Sequence, residues 1–284
     1  PSDVPGPVQT RHTLGIRPVR CLEIPTRPGG ESQEPRCPSA GQVVVLRCEV
    51  ERPLSIGHGS WHITPRQGQS GTGKSVLLKH IIGLIHPDSG TIIVDDLDVS
   101  TLGRKELAAL RSTIGYVFQN GALFDSMNVY ENIRLGITDA KANRDAEYCA
   151  KRVPECLALV NLAAEVAEKY PAQLSGGMRK RVGIARAIAG RPKYLLYDEP
   201  TSGLDPVNAD IIDSLVKHLA DTLGVTSVMV THDVRGAFRT ADRLALLTGG
   251  KIVQHGTPQE FLASTNPKVK EFLERDFENA TFAA

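Results

Sequence analysis

The stretch that most limits what this chain can become is Gly68-Gln69-Ser70-Gly71-Thr72-Gly73-Lys74-Ser75. Glycines at 68, 71 and 73 let the backbone curl so that successive N–H groups point inward at an anion. Directly behind it the apolar pattern predicts a helix from Val76 to Leu84, whose free N–H groups and positive dipole end would extend the cradle. The spacing G-x-x-x-x-G-K-[ST] assigns Lys74 to the β- and γ-phosphates and the Ser75 hydroxyl to Mg²⁺. A Gly/Ser turn before an ordinary helix is the plainer reading, but it requires none of the three fixed positions. The chain is expected to bind a nucleoside triphosphate.

Bulk properties narrow the setting. A chain of 284 residues can bury a full core, and a net charge of +1 pulls it toward neither nucleic acid nor an anionic membrane surface. It has no run of 18 apolar residues, so it is not expected to span a membrane by itself. The Pro- and Arg-rich N-terminus lacks the apolar stretch of a secretory signal, and none is expected. Cys21, Cys37, Cys48, Cys149 and Cys156 show no metal-type spacing, which suggests free thiols in a reducing cytosol.

Residues 1–66 differ from everything after them. They hold ten of the 18 prolines and the single Trp, with no Lys, Asn, Met, Phe or Tyr. Gly41 to Val50 suits a short strand. Just before the phosphate loop, where a nucleotide fold needs a buried strand, stands His62-Ile63-Thr64-Pro65-Arg66. Pro65 cannot donate to a central ladder and Arg66 is a poor core residue. Two explanations compete: a poorly ordered extension, or a segment outside the native reading frame, since Pro, Arg, Gly and Cys enrichment is what GC-rich DNA yields out of frame. The composition leans toward the second.

From Gly68 onward strands alternate with helices. Strands are predicted at Thr91–Asp95, Ile114–Phe118, Tyr194–Tyr197, Val225–Val230 and Leu244–Leu247, with Lys251–Gln254 returning after a Gly249-Gly250 turn. Helices are predicted at Arg104–Arg111, Val129–Leu135, Arg144–Leu159 with a break at Pro154, and Ala163–Lys169. Asp205-Pro206 opens another as N-cap and first residue. This alternation indicates an α/β fold with a mainly parallel sheet and an all-helical insertion. Two short amphipathic helices are expected within Pro258–Phe277, then a frayed tail at 278–284.

Several further groups fall where ligands of such a sheet collect, at the carboxyl ends of parallel strands. The apolar strand before Asp198-Glu199 would deliver Asp198 to Mg²⁺ and leave Glu199 to polarise an attacking water. An acidic pair after a strand is often just a helix cap; next to a phosphate loop the chemical reading wins. Leu174-Ser175-Gly176-Gly177-Met178 heads a basic helix and forms a second anion site, although Ser is also a common cap. Two such loops far apart in the chain are hard to close on one nucleotide within a monomer and easy across a dimer. Gln119 and His232 each follow a strand, and Asp205 is accounted for as an N-cap.

With these residues in order, residues 67–277 resemble the nucleotide-binding subunit of an ABC transporter, a P-loop NTPase cassette. Gly68–Ser75 looks like Walker A, Gln119 the Q-loop, Leu174–Met178 the signature motif, Tyr194–Glu199 Walker B, Ser202–Pro206 the D-loop, and His232 the switch histidine. The resemblance implies a helical subdomain at about 121–190, a small antiparallel N-terminal sheet that is incomplete here, and a head-to-tail dimer enclosing two ATP molecules. Lys74 and Ser75 of one copy would face Ser175 and Gly177 of the other. Glu199 would be the general base, His232 would contact the γ-phosphate, Gln119 would link Mg²⁺ to an integral membrane permease, and Asp205 would lie beside the nucleotide. No nucleic acid is expected as a partner.

A finer resemblance points to the Mce-type lipid importers and the maintenance-of-lipid-asymmetry ATPases. It rests on Gly71–Leu84, Gln119–Ser126 and Asn266–Leu273. It implies phospholipid transport, an Mce-domain partner and a peripheral position on the cytoplasmic face of the membrane. Val76 stands where many ABC ATPases carry Thr or Ser. The aromatic that normally stacks on adenine, well ahead of the phosphate loop, is missing: Trp61 lies too close. A soluble ABC ATPase of translation or DNA maintenance, and a catalytically impaired regulatory cassette, are the rival readings.

Overall fold

The computed structural model describes the backbone of residues 49–50, 52–53, 60–65, 74–87, 91–248 and 251–277, and the side chains of 75–87, 91–248 and 252–274. All belong to the unit Arg36–Ala284. Expectations for Gly68–Gly73, for most of residues 1–59, and for the tail at 278–284 lie outside the described residues.

Two short strands, β1 (Glu49–Val50) and β2 (Arg52–Pro53), pair antiparallel within the expected small N-terminal sheet. Strand β3 (Ser60–Pro65) follows, then helix α1 (Lys74–Ile81). A hairpin of β4 (Ile93–Val94) and β5 (Leu97–Asp98) precedes α2 (Arg104–Ser112) and β6 (Ile114–Val117). The helical insertion holds α3 (Val129–Arg134), α4 (Ala140–Arg144), α5 (Ala146–Leu159) and α6 (Gly176–Ala189). Then come β7 (Tyr194–Asp198), α7 (Pro206–Leu223), β8 (Thr226–Val230), α8 (Val234–Thr240), β9 (Arg243–Thr248) and β10 (Lys251–Gly256). Helices α9 (Pro258–Leu262) and α10 (Pro267–Phe277) complete the described chain.

Six strands form the main sheet in the order β10-β9-β3-β8-β7-β6, parallel except for the β9–β10 hairpin. Helices cover both faces, and the two-residue alternation of the strands sorts the core. Leu195, Tyr197 and Met229 pack with the helical insertion, whereas Leu196, Val228 and Val230 pack with α1 and α2. A third cluster joins α8, β9, α9 and α10 through Val234, Leu246, Phe261 and Phe272. Cys149 and Cys156 are buried free thiols on α5, and burial pushes the Cys156 thiol up to about 11. No helix among the described residues is long and apolar enough to cross a membrane.

Four local expectations change. The segment before the phosphate loop does form the central strand: β3 pairs with β8 through Ile63 and with β9 through Pro65. Pro65 is thus its last residue and borders only β9, so its missing N–H costs little. Thr91–Asp95 is one arm of the β4–β5 hairpin, whose turn residues Asp95 and Asp96 both take positive φ (50° and 62°). That is the requirement of a type I′ turn, met without glycine. Helix α5 runs unbroken past Pro154. Burial of Val153, Cys156 and Leu157 offsets the lost hydrogen bond, and both Pro154 and Ala150 face solvent. The predicted helix at Ala163–Lys169 is a 3-10 turn, Ala164–Glu168.

Candidate functional site

The site is assembled at the carboxyl ends of β6, β7 and β8. Asp198 ends β7 and is only 7% exposed, yet both of its oxygens are met. Ser75 of α1 donates its hydroxyl to Oδ1 at 2.8 Å, and Tyr116 of β6 donates its hydroxyl to Oδ2 at 3.1 Å. Burial, together with the Asp198 charge, holds the Tyr116 hydroxyl above its ordinary range, so it remains a donor.

Register explains the next pair. Asp198 lies opposite Val230 in the β7–β8 ladder, and the Glu199 N–H continues it by donating to the Val230 carbonyl at 2.8 Å. Glu199 and His232 therefore leave adjacent strands side by side, with His232 Nδ1 3.1 Å from Glu199 Oε2. The Glu199 side chain is mostly buried and His232 is half exposed. Glu199 holds this place at φ +47°, a left-handed conformation that costs a non-glycine residue about 1–3 kcal/mol.

A turn then doubles back onto α6. Ser202 N–H donates to the Glu199 carbonyl at 3.2 Å, its hydroxyl accepts from Gln119 Nε2 at 3.2 Å, and its carbonyl accepts from Lys180 Nζ at 2.6 Å. Gln119 is therefore bonded to Ser202, not to the Ser75–Asp198 pair where a metal ligand was expected. The region just beyond Gln119 is gripped by α6 as well: Arg186 donates to the carbonyls of Gly121 (2.7 Å) and Ala122 (2.8 Å), both at positive φ.

Ser175 caps α6, accepting the Met178 N–H at 3.2 Å. Gly176 and Gly177 sit against the start of α7, where a Cβ on Gly177 would come within 3.0 Å of Asn208 Oδ1. No hydrogen bond joins Ser175, Gly176 or Gly177 to Ser75 or Asp198 among the described residues. Asp205 caps α7 and accepts from the Asn208 side chain (2.6 Å) and backbone (3.1 Å), which holds its carboxyl below the usual range. Lys74 begins α1; Gly68, Gln69, Ser70, Gly71, Thr72, Gly73 and the Lys74 side chain lie outside the described residues.

Comparison with known proteins matches this arrangement. The ABC transporter family matches residues 62–202, from within β3 to Ser202. The dimeric structure of MJ0796, a bacterial ABC transporter cassette, superposes with a TM-score of 0.65 at 34% identity, covering 72% of this chain and 88% of that one. The chain belongs to the ABC transporter family. This chain is 44% identical over 207 residues to the methionine import ATP-binding protein MetN of Carboxydothermus hydrogenoformans, covering 72% of this chain and 60% of the relative. It is 40% identical over 206 residues to the probable ribonucleotide transport ATP-binding protein mkl of Mycobacterium tuberculosis, covering 72% and 57%. The chain thus spans about three fifths of the length of these curated relatives.

Sequence reasoning gave no role to Tyr116, Lys180 or Ser202, the last named only as the start of the D-loop. Two of them carried a signal. Tyr116 sits near the carboxyl end of a strand that the reading had already placed beside the site. Lys180 falls at i−4 from Ile184 and i−8 from Ile188 in the cassette's α6, a cation on the apolar stripe.

Proposed function

We propose that this cassette hydrolyses ATP to power a membrane permease, and that the permease moves a phospholipid or related hydrophobic molecule. The observation that carries the ATPase reading is the convergence of Ser75–Asp198 and Glu199–His232 at the ends of β7 and β8. The Ser75 hydroxyl and Asp198 carboxylate, 2.8 Å apart, are hard oxygen donors of the type Mg²⁺ prefers, and the two would hold it. When bound, that ion supplies charge that neutralises the phosphate oxygens of ATP. Gln119 would have to leave Ser202 to reach it.

Lys74 and the backbone of Gly68–Gly73 would bind the β- and γ-phosphates. Glu199 would accept a proton from the attacking water, its carboxylate held by the contact with His232, whose exposed imidazole edge would meet the γ-phosphate. Positioning and electrostatics provide most of the acceleration. Ser175, Gly176 and Gly177 would complete the site of a second copy, and Asp205 would lie at the dimer seam. This reading is supported by the dimeric MJ0796 cassette.

The permease would dock on the helical insertion, where Phe124 and Leu135 are exposed, placing the chain on the cytoplasmic membrane face. The lipid substrate and an Mce-domain partner rest on Gly71–Leu84, Gln119–Ser126 and Asn266–Leu273. The test is phosphate release by the cassette–permease complex in phospholipid vesicles. Glu199→Gln is expected to keep ATP binding and lower turnover by about 10²–10⁴-fold. Undiminished hydrolysis would remove Glu199 as the base, and stimulation by methionine instead of phospholipid would overturn the lipid assignment.

A further inference from the structure

Lys180 is an unusual residue for the middle of a packed helix. It is 7% exposed, and burial pulls its ammonium below the ordinary lysine range, with the Glu199 carboxylate opposing that shift. Of the three hydrogens on Nζ, one has an acceptor among the described residues, the Ser202 carbonyl at 2.6 Å. A buried charge so sparsely paired is expensive, and an apolar side chain of similar length in its place is often neutral or stabilising. The fold therefore gains little from it, which directs attention to what it touches.

What it touches is a node. Ser202 receives Lys180 on its carbonyl and Gln119 on its hydroxyl, and its own N–H closes the turn onto the Glu199 carbonyl. Lys180 itself stands on α6, five residues beyond Ser175, the helix cap in the signature loop. One side chain therefore ties the helix that would grip a second copy's nucleotide to the turn that carries this chain's own hydrolytic carboxylate.

We infer that Lys180 is a positioning residue for hydrolysis, its ammonium holding the Ser202 carbonyl and thereby setting the strained turn on which Glu199 stands. The inference rests on Glu199 being the general base. Among the described residues no hydrogen bond joins Lys180 to Ser75 or Asp198, so its loss should affect turnover and not nucleotide affinity. Gln keeps a hydrogen-bond donor, and Arg keeps both donor and charge; Met keeps the length and loses both.

The test measures kcat and KM for ATP, together with Tm, on the full chain. Lys180→Met is expected to lower kcat about tenfold with KM within about twofold of wild type and Tm equal or higher. Lys180→Gln and Lys180→Arg are expected to recover most of that rate. An unchanged kcat in Lys180→Met would overturn the inference, and so would a loss that follows a fall in Tm and returns in neither Gln nor Arg. Glu199→Gln in the same preparation separates the two readings. If it still turns over, the base assignment fails; if it is inactive while Lys180→Met is normal, only the role of Lys180 fails.

Discussion

Asp198 and Asp213 are both buried aspartates in one α/β core, and their surroundings could hardly differ more. Asp198, 7% exposed, has a hydroxyl donor on each oxygen, from Ser75 and Tyr116. Asp213, on α7, is 3% exposed, and its Oδ2 has no hydrogen-bond partner among the described residues. Arg239 of α8 stands 3.9 Å from that oxygen and is paired with Asp210. Asp233, the cap of α8, brings a further negative charge, while Lys217 of α7 is engaged with Asp221 and Asp242. Burial first, then the Asp233 charge, push the Asp213 carboxyl up to about 7 against the pull of Arg239. Gly236 is forced by the same crowding, because a Cβ there would run into Asp213 Oδ2. Burial alone, then, does not separate the two carboxylates; the donors aimed at their oxygens do.

The sharpest way to break this contrast is Asp198→Ala, expected to lower turnover more than about 100-fold. Steady-state phosphate release checks it; wild-type turnover would make Asp198 as passive as Asp213.

A second test is the pH dependence of stability. The Asp213 carboxyl titrates higher in the fold than in the unfolded chain, so its contribution is fully present below the ordinary value of 3.8 and is lost as pH rises through about 7. Asp213→Asn removes that charge. Its Tm is expected to exceed wild type by about 2–4 °C at pH 8 and to lose the advantage at pH 4. Thermal melts across that window decide the matter, and equal Tm at pH 8 would mean that Arg239 fully compensates the buried carboxylate.

The smallest effect is expected from Tyr116→Phe, which takes one donor from Asp198 at about 1 kcal/mol, a few-fold in kcat/KM. No change there would show that Ser75 alone orients the carboxylate.

Much of the site was legible because its chemistry is local. Ser175 and Asp205 cap their helices through N–H groups three residues ahead, and Asp198-Glu199 ends a short apolar run that suits a buried strand. Other residues were illegible because their partners are distant. Tyr116 meets Asp198 across 82 positions and Gln119 meets Ser202 across 83, and nothing near either residue announces the contact. Pro65 misled for a related reason: its penalty depends on which edge of the strand is paired at that one position, which only the β3–β9 register settles.

The sequence by itself determined the order of the motifs, the alternation of strand and helix, and the residue types able to hold phosphate and magnesium. These follow from backbone conformation and from spacing within a helical turn. The tertiary structure decided which strand lies at the centre, which buried acid receives donors, and that Ser202 gathers Lys180, Gln119 and the Glu199 turn at one point. Those outcomes depend on desolvation and on contacts between residues far apart in the chain, and packing alone brings such residues together.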